Sequence, residues 1–454
     1  MDGMPVLVQL SAAIVIGYLA YIAISAAAGR LEVDSLVWWP IVLYIPGPLA
    51  AYLLFSGQDF FASYVSPESV FVSTLVLVGG FFLYRISLGK RLARQVRFDI
   101  AQIRKSPVVN GAAWPLVLLG LLCAVTQLLL IRDTGASLLA GSYVLGDDKF
   151  AENRTLFTMT AGLYEIFAAI LAFRFVGTKL TLRRDGLFLL FAFAVIALRM
   201  FGGTRLIVLE LVLFIVMVRV LEGRISKKAA ALSAAGFAAI LMLVGSLRGS
   251  EAADGSNILF LLFAEPALGN LSATFVTGYY LDHAVPFNPN AILDSLGYIV
   301  FVVIHLLPNA IYQALGGDII LLGDWGYYRS WAEPFFPFRD ILANTGLDTV
   351  SPVGGQSVIA LGVALFGYAG AVLIVPLTYG VFSWLRSMLP RSMPLILILG
   401  FEAPSVFREG AELVAKQVFI VAVVFWLFSK LCAIPIFPRS RHRPSPANAV
   451  IEAR

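Results

Sequence analysis

Runs of about 20 apolar residues recur along this chain from Val6 to Cys432, and they constrain the fold more than any motif does. A backbone amide or carbonyl without a partner cannot face hydrocarbon, so a run of that length is stable in lipid only as a helix. Of the 454 residues 59% are hydrophobic and 13% charged, with a mean hydropathy of +0.86, which excludes a water-soluble globular domain as the main body. Spans are expected near 5–28, 36–56, 69–88, 112–131, 155–176, 186–203, 205–221, 229–247, 356–385, 393–407 and 411–431. The fold class this implies is all-α: a polytopic transmembrane protein of about eleven spans, with thirteen as the upper count.

Charge sets the expected sidedness. Basic residues gather in Arg85–Lys105 (seven Lys and Arg), Arg174–Arg184 (four), Arg219–Lys228 (four), Arg386–Arg391 (two) and Lys430–Arg454 (five), alternating with basic-poor connections. The positive-inside rule puts all five in the cytoplasm, the N-terminus outside and the C-terminus inside. The formal charge of +5 is thereby a statement about topology, and no nucleic-acid partner is expected. The start of the chain carries Asp2 and no basic residue before Val6, the wrong n-region for a cleaved signal, so the first helix is expected to be retained. Cys123 and Cys432 both lie in apolar runs, which points to neither a disulfide framework nor a zinc site.

The organisation expected is 1–249 as N-terminal transmembrane helices, 250–353 as one large outer loop, 354–434 as C-terminal transmembrane helices and 435–454 as a disordered tail rich in Pro, Ser and Arg. Within the loop, Asn257–Leu281 and Ser295–Leu315 are apolar but broken by Pro266 and Pro308. They are read as interfacial or re-entrant helices, the alternative being two further spans. Trp325, Tyr327, Tyr328, Trp331, Phe335, Phe336 and Phe338 crowd the second half of the loop, as rings do at a headgroup boundary; the same rings can stack on sugars.

An ionisable group at membrane depth costs several kcal/mol, so each one raises a functional question. In RMFGGTR, Arg199 and Arg205 flank a Gly202–Gly203 reversal, with Thr204 able to cap the following helix. Arginines beside helix amides at an outer surface can bind phosphate; the plainer reading is an arginine snorkelling to the interface. Arg248 closes the eighth span. Arg408, Glu412 and Lys416 follow one another at four-residue spacing around the last outer turn, which suits either binding or an ion-paired hairpin. In the loop, His305 lies within YIVFVVIHLLPN and Glu265 within LLFAEPALGN. A lone histidine on an apolar helix is as readily a satisfied core residue as a base, although neutral imidazole, or a carboxyl raised by burial, can take a hydroxyl proton. No metal-ligand spacing, Walker loop or GxSxG elbow occurs, so neither a metal nor a cofactor is expected.

Four stretches, GGTRLIVLELVLF (202–214), LRGSEAADGSNILFLLFAEPALG (247–269), GGQSVIALGVALFGYAGAVLIVPLTYGVF (354–382) and FREGAELVAKQVF (407–419), give an order of features that resembles the O-antigen polymerase family, and through it the related O-antigen ligases. The resemblance covers roughly 190 to 430 and rests on hydropathy order. It implies a bacterial inner-membrane glycosyltransferase with one large periplasmic loop and outward arginines, here Arg205, Arg248 and Arg408. A glycine eleven residues after a loop arginine, described for some members, is not reproduced: that position after Arg248 is Leu259.

On this reading the partners are the lipid bilayer, an oligosaccharide on undecaprenyl diphosphate and, in a polymerase, a chain-length regulator. Arg205, Arg248, Arg408 and Arg199 would bind the diphosphate, and His305 or Glu265 would be the base in a metal-independent, inverting transfer of the growing glycan to the next lipid-linked repeat. Competing expectations are a ligase using the same donor, a transferase of single sugars with an acidic pair such as Asp147 and Asp148, and a flippase or ion-coupled transporter.

Overall fold

The computed structural model describes residues 67–135, 147–177, 182–201, 206–222, 288–307, 309–322, 326–335, 358–389, 393–402 and 411–434, with isolated positions between 6 and 21 and between 225 and 229. The expected spans 36–56 and 229–247, most of 5–28, and the tail from Pro435 lie outside the described residues.

The described chain is α-helical apart from one two-stranded ribbon, a 3-10 turn and connections. Among the described residues three helices are long and apolar enough to cross a bilayer: Trp114–Thr134, Met159–Gly177 and Tyr368–Met388. Helix α1 (Pro67–Lys105) runs 39 residues, well beyond the expected span 69–88. No proline interrupts it between Pro67, which starts it with a pre-set φ, and Pro107, which forbids a helical Ser106. Glu68 in its first turn and Arg104 with Lys105 in its last both suit the helix dipole. Ser106 then accepts the Val108 amide to cap the short α2 (Pro107–Asn110).

Next come α3 (Trp114–Thr134), ended by Gly135 in the left-handed region (φ 67°), α4 (Asp147–Gly177), α5 (Leu182–Phe201) and α6 (Leu206–Leu221). Helices α3 and α4 pack on one another, α5 lies on α3, and α6 lies on α4. Gly120 of α3 sits so close to Phe167 and Phe191 that no side chain larger than hydrogen fits. From residues 250–353 the structure describes α7 (Ala291–Leu306), α8 (Asn309–Ala314), strands β1 (Ile319–Leu322) and β2 (Gly326–Arg329), and the 3-10 turn Ser330–Phe335. The strands are antiparallel, with Ile319 opposite Arg329 and Leu322 opposite Gly326. Helix α7 ends at Leu306, just before Pro308, as the break in the apolar run predicts. Its 16 residues extend about 24 Å, short of a bilayer core. It packs on the C-terminal helix, α12 (Ala411–Leu431), and so belongs to the helical body.

The expected single span 356–385 is two helices, α9 (Val358–Phe366) and α10 (Tyr368–Met388). Gly367, at φ 71°, breaks the run, and its amide closes α9 on Val363 O at 2.8 Å. In a continuous helix residues 362 and 374 would be about 18 Å apart, yet Gly362 lies against both Gly370 and Ile374. The chain therefore doubles back at Gly367, and the two glycine backbones touch where any Cβ would overlap a carbonyl. Hydropathy alone reads both arms as one span because both are apolar. Helix α10 runs parallel to α1: Gly80 faces Val375, Tyr84 faces Tyr379, and Gln95 bonds Ser383. After α10 comes α11 (Leu395–Phe401), whose seven residues are all buried.

Candidate functional site

Among the described residues, one from each basic segment lies toward one end of the bundle: Arg104, Arg174, Arg219, Arg386 and Lys430. Arg104 of α1 pairs with Glu222, which also lies 3.6 Å from Arg219 at the end of α6. Arg219 donates to Phe175 O and Arg174 to Val108 O (2.9 Å), tying the end of α4 to α6 and α2. Ala112 donates to Cys432 O (3.3 Å), and Ser106 meets Ser429 at 3.5 Å, which brings in the end of α12 near Lys430. Arg386, at the end of α10, donates to Asp99 of α1 at 2.7 Å.

That last pair is buried and reaches further. Asp99 Oδ2 accepts the Ile396 and Leu397 amides at 3.1 and 3.4 Å, capping α11 from a different helix. The Arg386 guanidinium also lies over the Phe98 ring, 5.2 Å from its centre. Burial pushes the Asp99 carboxyl up to about 6, against the Arg386 charge and the two amides, which pull it down. Sequence reading assigned Arg386 to topology and passed over Asp99. The available signal was a lone carboxylate in the middle of a segment with seven basic residues.

At the other end of the same helices lies Arg199. It is in the last turn of α5 and is only 1% exposed. Its Nη1 donates to Gln127 Oε1 at 2.9 Å, and its Cζ lies 5.3 Å from the Tyr164 ring and 5.9 Å from the Phe157 ring. Gln127 is 13 residues into α3 and Tyr164 is 13 residues before the end of α4, each about 20 Å from the basic end. Three helices thus hold this guanidinium within the bundle, among an amide and two rings.

His305, in the last turn of α7, is 4% exposed. Its Nδ1 lies 3.0 Å from Phe301 O one turn back, and its ring lies 4.2 Å from that of Phe301. With the proton on Nδ1 donated to that carbonyl, Nε2 is the lone-pair nitrogen. Beyond α7, Tyr312 of α8 pins the ribbon: its hydroxyl accepts the Trp331 amide at 3.1 Å, meets Ser330 Oγ at 2.9 Å and donates to Asp318 O at 3.3 Å. Trp331 packs edge-on against the Tyr312 ring, and Phe335 against Gly297. Trp325, Phe336 and Phe338 lie outside the described residues, as do Arg205, Arg248, Arg408 and Glu265.

The chain matches no protein-family model, no curated protein and no solved structure.

What the site can do rests on its own residues. Arg199 and His305 belong to different neighbourhoods, one formed by α3, α4 and α5, the other by the end of α7. No group of three or more His, Cys, Asp or Glu that could hold a metal occurs among the described residues. Besides Asp99, sequence reading missed Gln127, Thr160 and Tyr164, which are buried polar groups in apolar helices. Gln127 alone was visible in advance, as the one amide in LLCAVTQLLL.

Proposed function

We propose that this chain is a polytopic inner-membrane glycosyltransferase that acts on lipid-linked oligosaccharides at the periplasmic face. The observation that supports it is the gathering of Arg104, Arg174, Arg219 and Arg386 at one end of the bundle. Under the positive-inside rule that end is cytoplasmic, which leaves the outer loop and the turns at Arg205, Arg248 and Arg408 on the periplasmic side. About eleven spans complete the proposed topology, with the N-terminus outside and the tail inside.

In this reading Arg205, Arg248 and Arg408 hold the diphosphate of a glycan on undecaprenyl diphosphate, and Arg199 adds positive potential from beneath the turn. The acceptor hydroxyl of the next lipid-linked repeat attacks the anomeric carbon of the growing chain. Its C–O bond to the diphosphate breaks, undecaprenyl diphosphate leaves, and the hydroxyl proton passes to His305 Nε2 or to Glu265. Guanidinium charge stabilises the leaving group with no need for a metal.

The test is product analysis in liposomes supplied only with lipid-linked repeats. A polymerase makes a ladder of chain lengths, and Arg205→Ala and Arg248→Ala leave single repeats unextended. Ladders of normal length in both variants would refute the assignment. A ligase makes no product until its acceptor is added. A flippase or transporter is the second reading, favoured by polar Gln127 and Arg199 inside the bundle; it would move labelled repeats across the membrane without extending them.

A further inference from the structure

The seven basic residues of 85–105 divide into two groups. Arg104 pairs with Glu222, and Arg85 donates to the Tyr21 hydroxyl. Lys90, Arg91, Arg94, Arg97 and Lys105 are exposed, and none has a hydrogen bond or ion pair among the described residues. Arg174 and Arg219 by contrast bond carbonyls, Arg386 bonds Asp99, and Lys430 lies over the Trp426 ring. At about 100° per residue the five exposed cations fall within an arc of about 120° on α1. Leu92, Ala93, Val96, Ile100 and Ile103 form the opposite, buried face. Asp99, the one acid between Arg85 and Lys105, is buried there too and is taken up by Arg386, so it does not offset the stripe.

The neighbouring helix fixes where this stripe stands. Helix α10 is long and apolar enough to cross a bilayer, and its exposed side runs through Leu373, Leu377 and Val381 to Trp384, a ring of the kind that sits at a headgroup boundary. Gln95 of α1 bonds Ser383, the residue before Trp384, through both atoms of its amide, at 3.0 and 2.9 Å. Arg94 and Arg97 therefore stand at the level of that ring, with Lys90 and Arg91 within about 8 Å of it along the axis. Their apolar stems can lie on the lipid-facing surface while the charged heads reach the headgroups. The exposed side of α1 changes character at the same level, from Phe82, Leu83 and Ile86 to Lys90 and Arg91. Lys105, about 15 Å further along, lies beyond this layer.

We infer that Lys90, Arg91, Arg94 and Arg97 form a docking surface for the headgroups of anionic phospholipids in the surrounding bilayer. Four cations within about two helical turns, on the outside of the bundle and level with Trp384, meet lipid phosphates before any other anion. A guanidinium can make paired hydrogen bonds to a phosphodiester. A zwitterionic headgroup brings its own cation and gains less, whereas each cation at an anionic surface is worth roughly fivefold in affinity. The surface does not depend on the glycan reading.

The experiment titrates the purified full chain, in a neutral detergent, with short-chain phosphatidylglycerol or phosphatidylcholine and counts bound lipids by native mass spectrometry. The wild-type chain is expected to bind phosphatidylglycerol at least about tenfold more tightly, with the gap closing in high salt. The combined change Lys90→Gln, Arg91→Gln, Arg94→Gln and Arg97→Gln should remove that preference while leaving the unfolding temperature unchanged, because all four side chains are exposed. Arg439→Gln, Arg441→Gln, Arg443→Gln and Arg454→Gln together remove the same charge from the tail and should keep the preference. Equal affinity for the two lipids in the wild-type chain would overturn the assignment and leave the stripe to an acidic protein segment. An unchanged preference in the α1 variant, or its loss in the tail variant, would overturn it as well.

Discussion

Asp99 and Arg386, 287 residues apart, join three helices through one carboxylate: Oδ1 takes the guanidinium of α10 at 2.7 Å, while Oδ2 takes the first amides of α11. A buried pair of this kind matters most when it is broken on one side, because the remaining charge has no compensation. Arg386→Ala should therefore lower stability by about 3–5 kcal/mol, and the double change Asp99→Leu with Arg386→Met should recover much of the loss. Thermal unfolding of purified variants in one detergent measures both. Equal losses in the single and double variants would show that the cost comes from losing the pair itself and not from an uncompensated Asp99.

The same carboxyl sets a pH dependence. Its folded value is about 6 against an ordinary 3.8, so between these values the folded protein holds a proton that the unfolded chain has released. Stability from this group is full below pH 3.8, falls as pH rises through about 6 and levels off above that. Unfolding temperatures from pH 4.5 to 7.5 should show this slope in the wild type, and Asp99→Asn should remove it. An unchanged slope in Asp99→Asn would assign it to other groups.

The reversal at Gly367 depends on two glycines in contact. Gly370→Ala drives a methyl into the Gly362 carbonyl, and Gly362→Ala drives one into Gly370. Each should cost about 1–3 kcal/mol or more, as overpacking does, and reduce the yield of folded protein. Gly79→Ala is the matched control, since a Cβ there meets nothing within 4 Å and alanine favours the helix. Equal yields and unfolding temperatures for Gly370→Ala and wild type would mean that α9 does not fold back on α10.

In the two-stranded ribbon one hydroxyl does the work of a turn. Tyr312→Phe leaves the Trp331 amide and the Ser330 hydroxyl without that oxygen, at a cost of about 1–3 kcal/mol in the ribbon. Hydrogen exchange should quicken across 318–335 and stay unchanged in α3 and α4. Gly317→Ala, whose methyl would overlap the Tyr312 ring, should act in the same region.

Sequence alone determined that the chain builds apolar helices, and where one of them stops. Apolar length is a local property, and Pro308 acts through its missing amide, so the end of α7 was legible as a break in the run, whereas the expected span 69–88 fell well short of Lys105, where α1 ends. The five basic segments were legible as a group because charge repels lipid wherever the chain goes next.

Tertiary structure decided the rest. FGYAG reads as the middle of one span until Gly362 is seen against Ile374, since hydropathy carries no information about direction. Arg199 reads as an outer-surface residue until Gln127 and Tyr164, from two other helices, are found around it. Asp99 had no visible role because its partners lie near residue 390, and a carboxylate buried by distant segments gains its meaning only from their contact. Burial of charge is a many-body property of packed helices, and no window along the chain contains it.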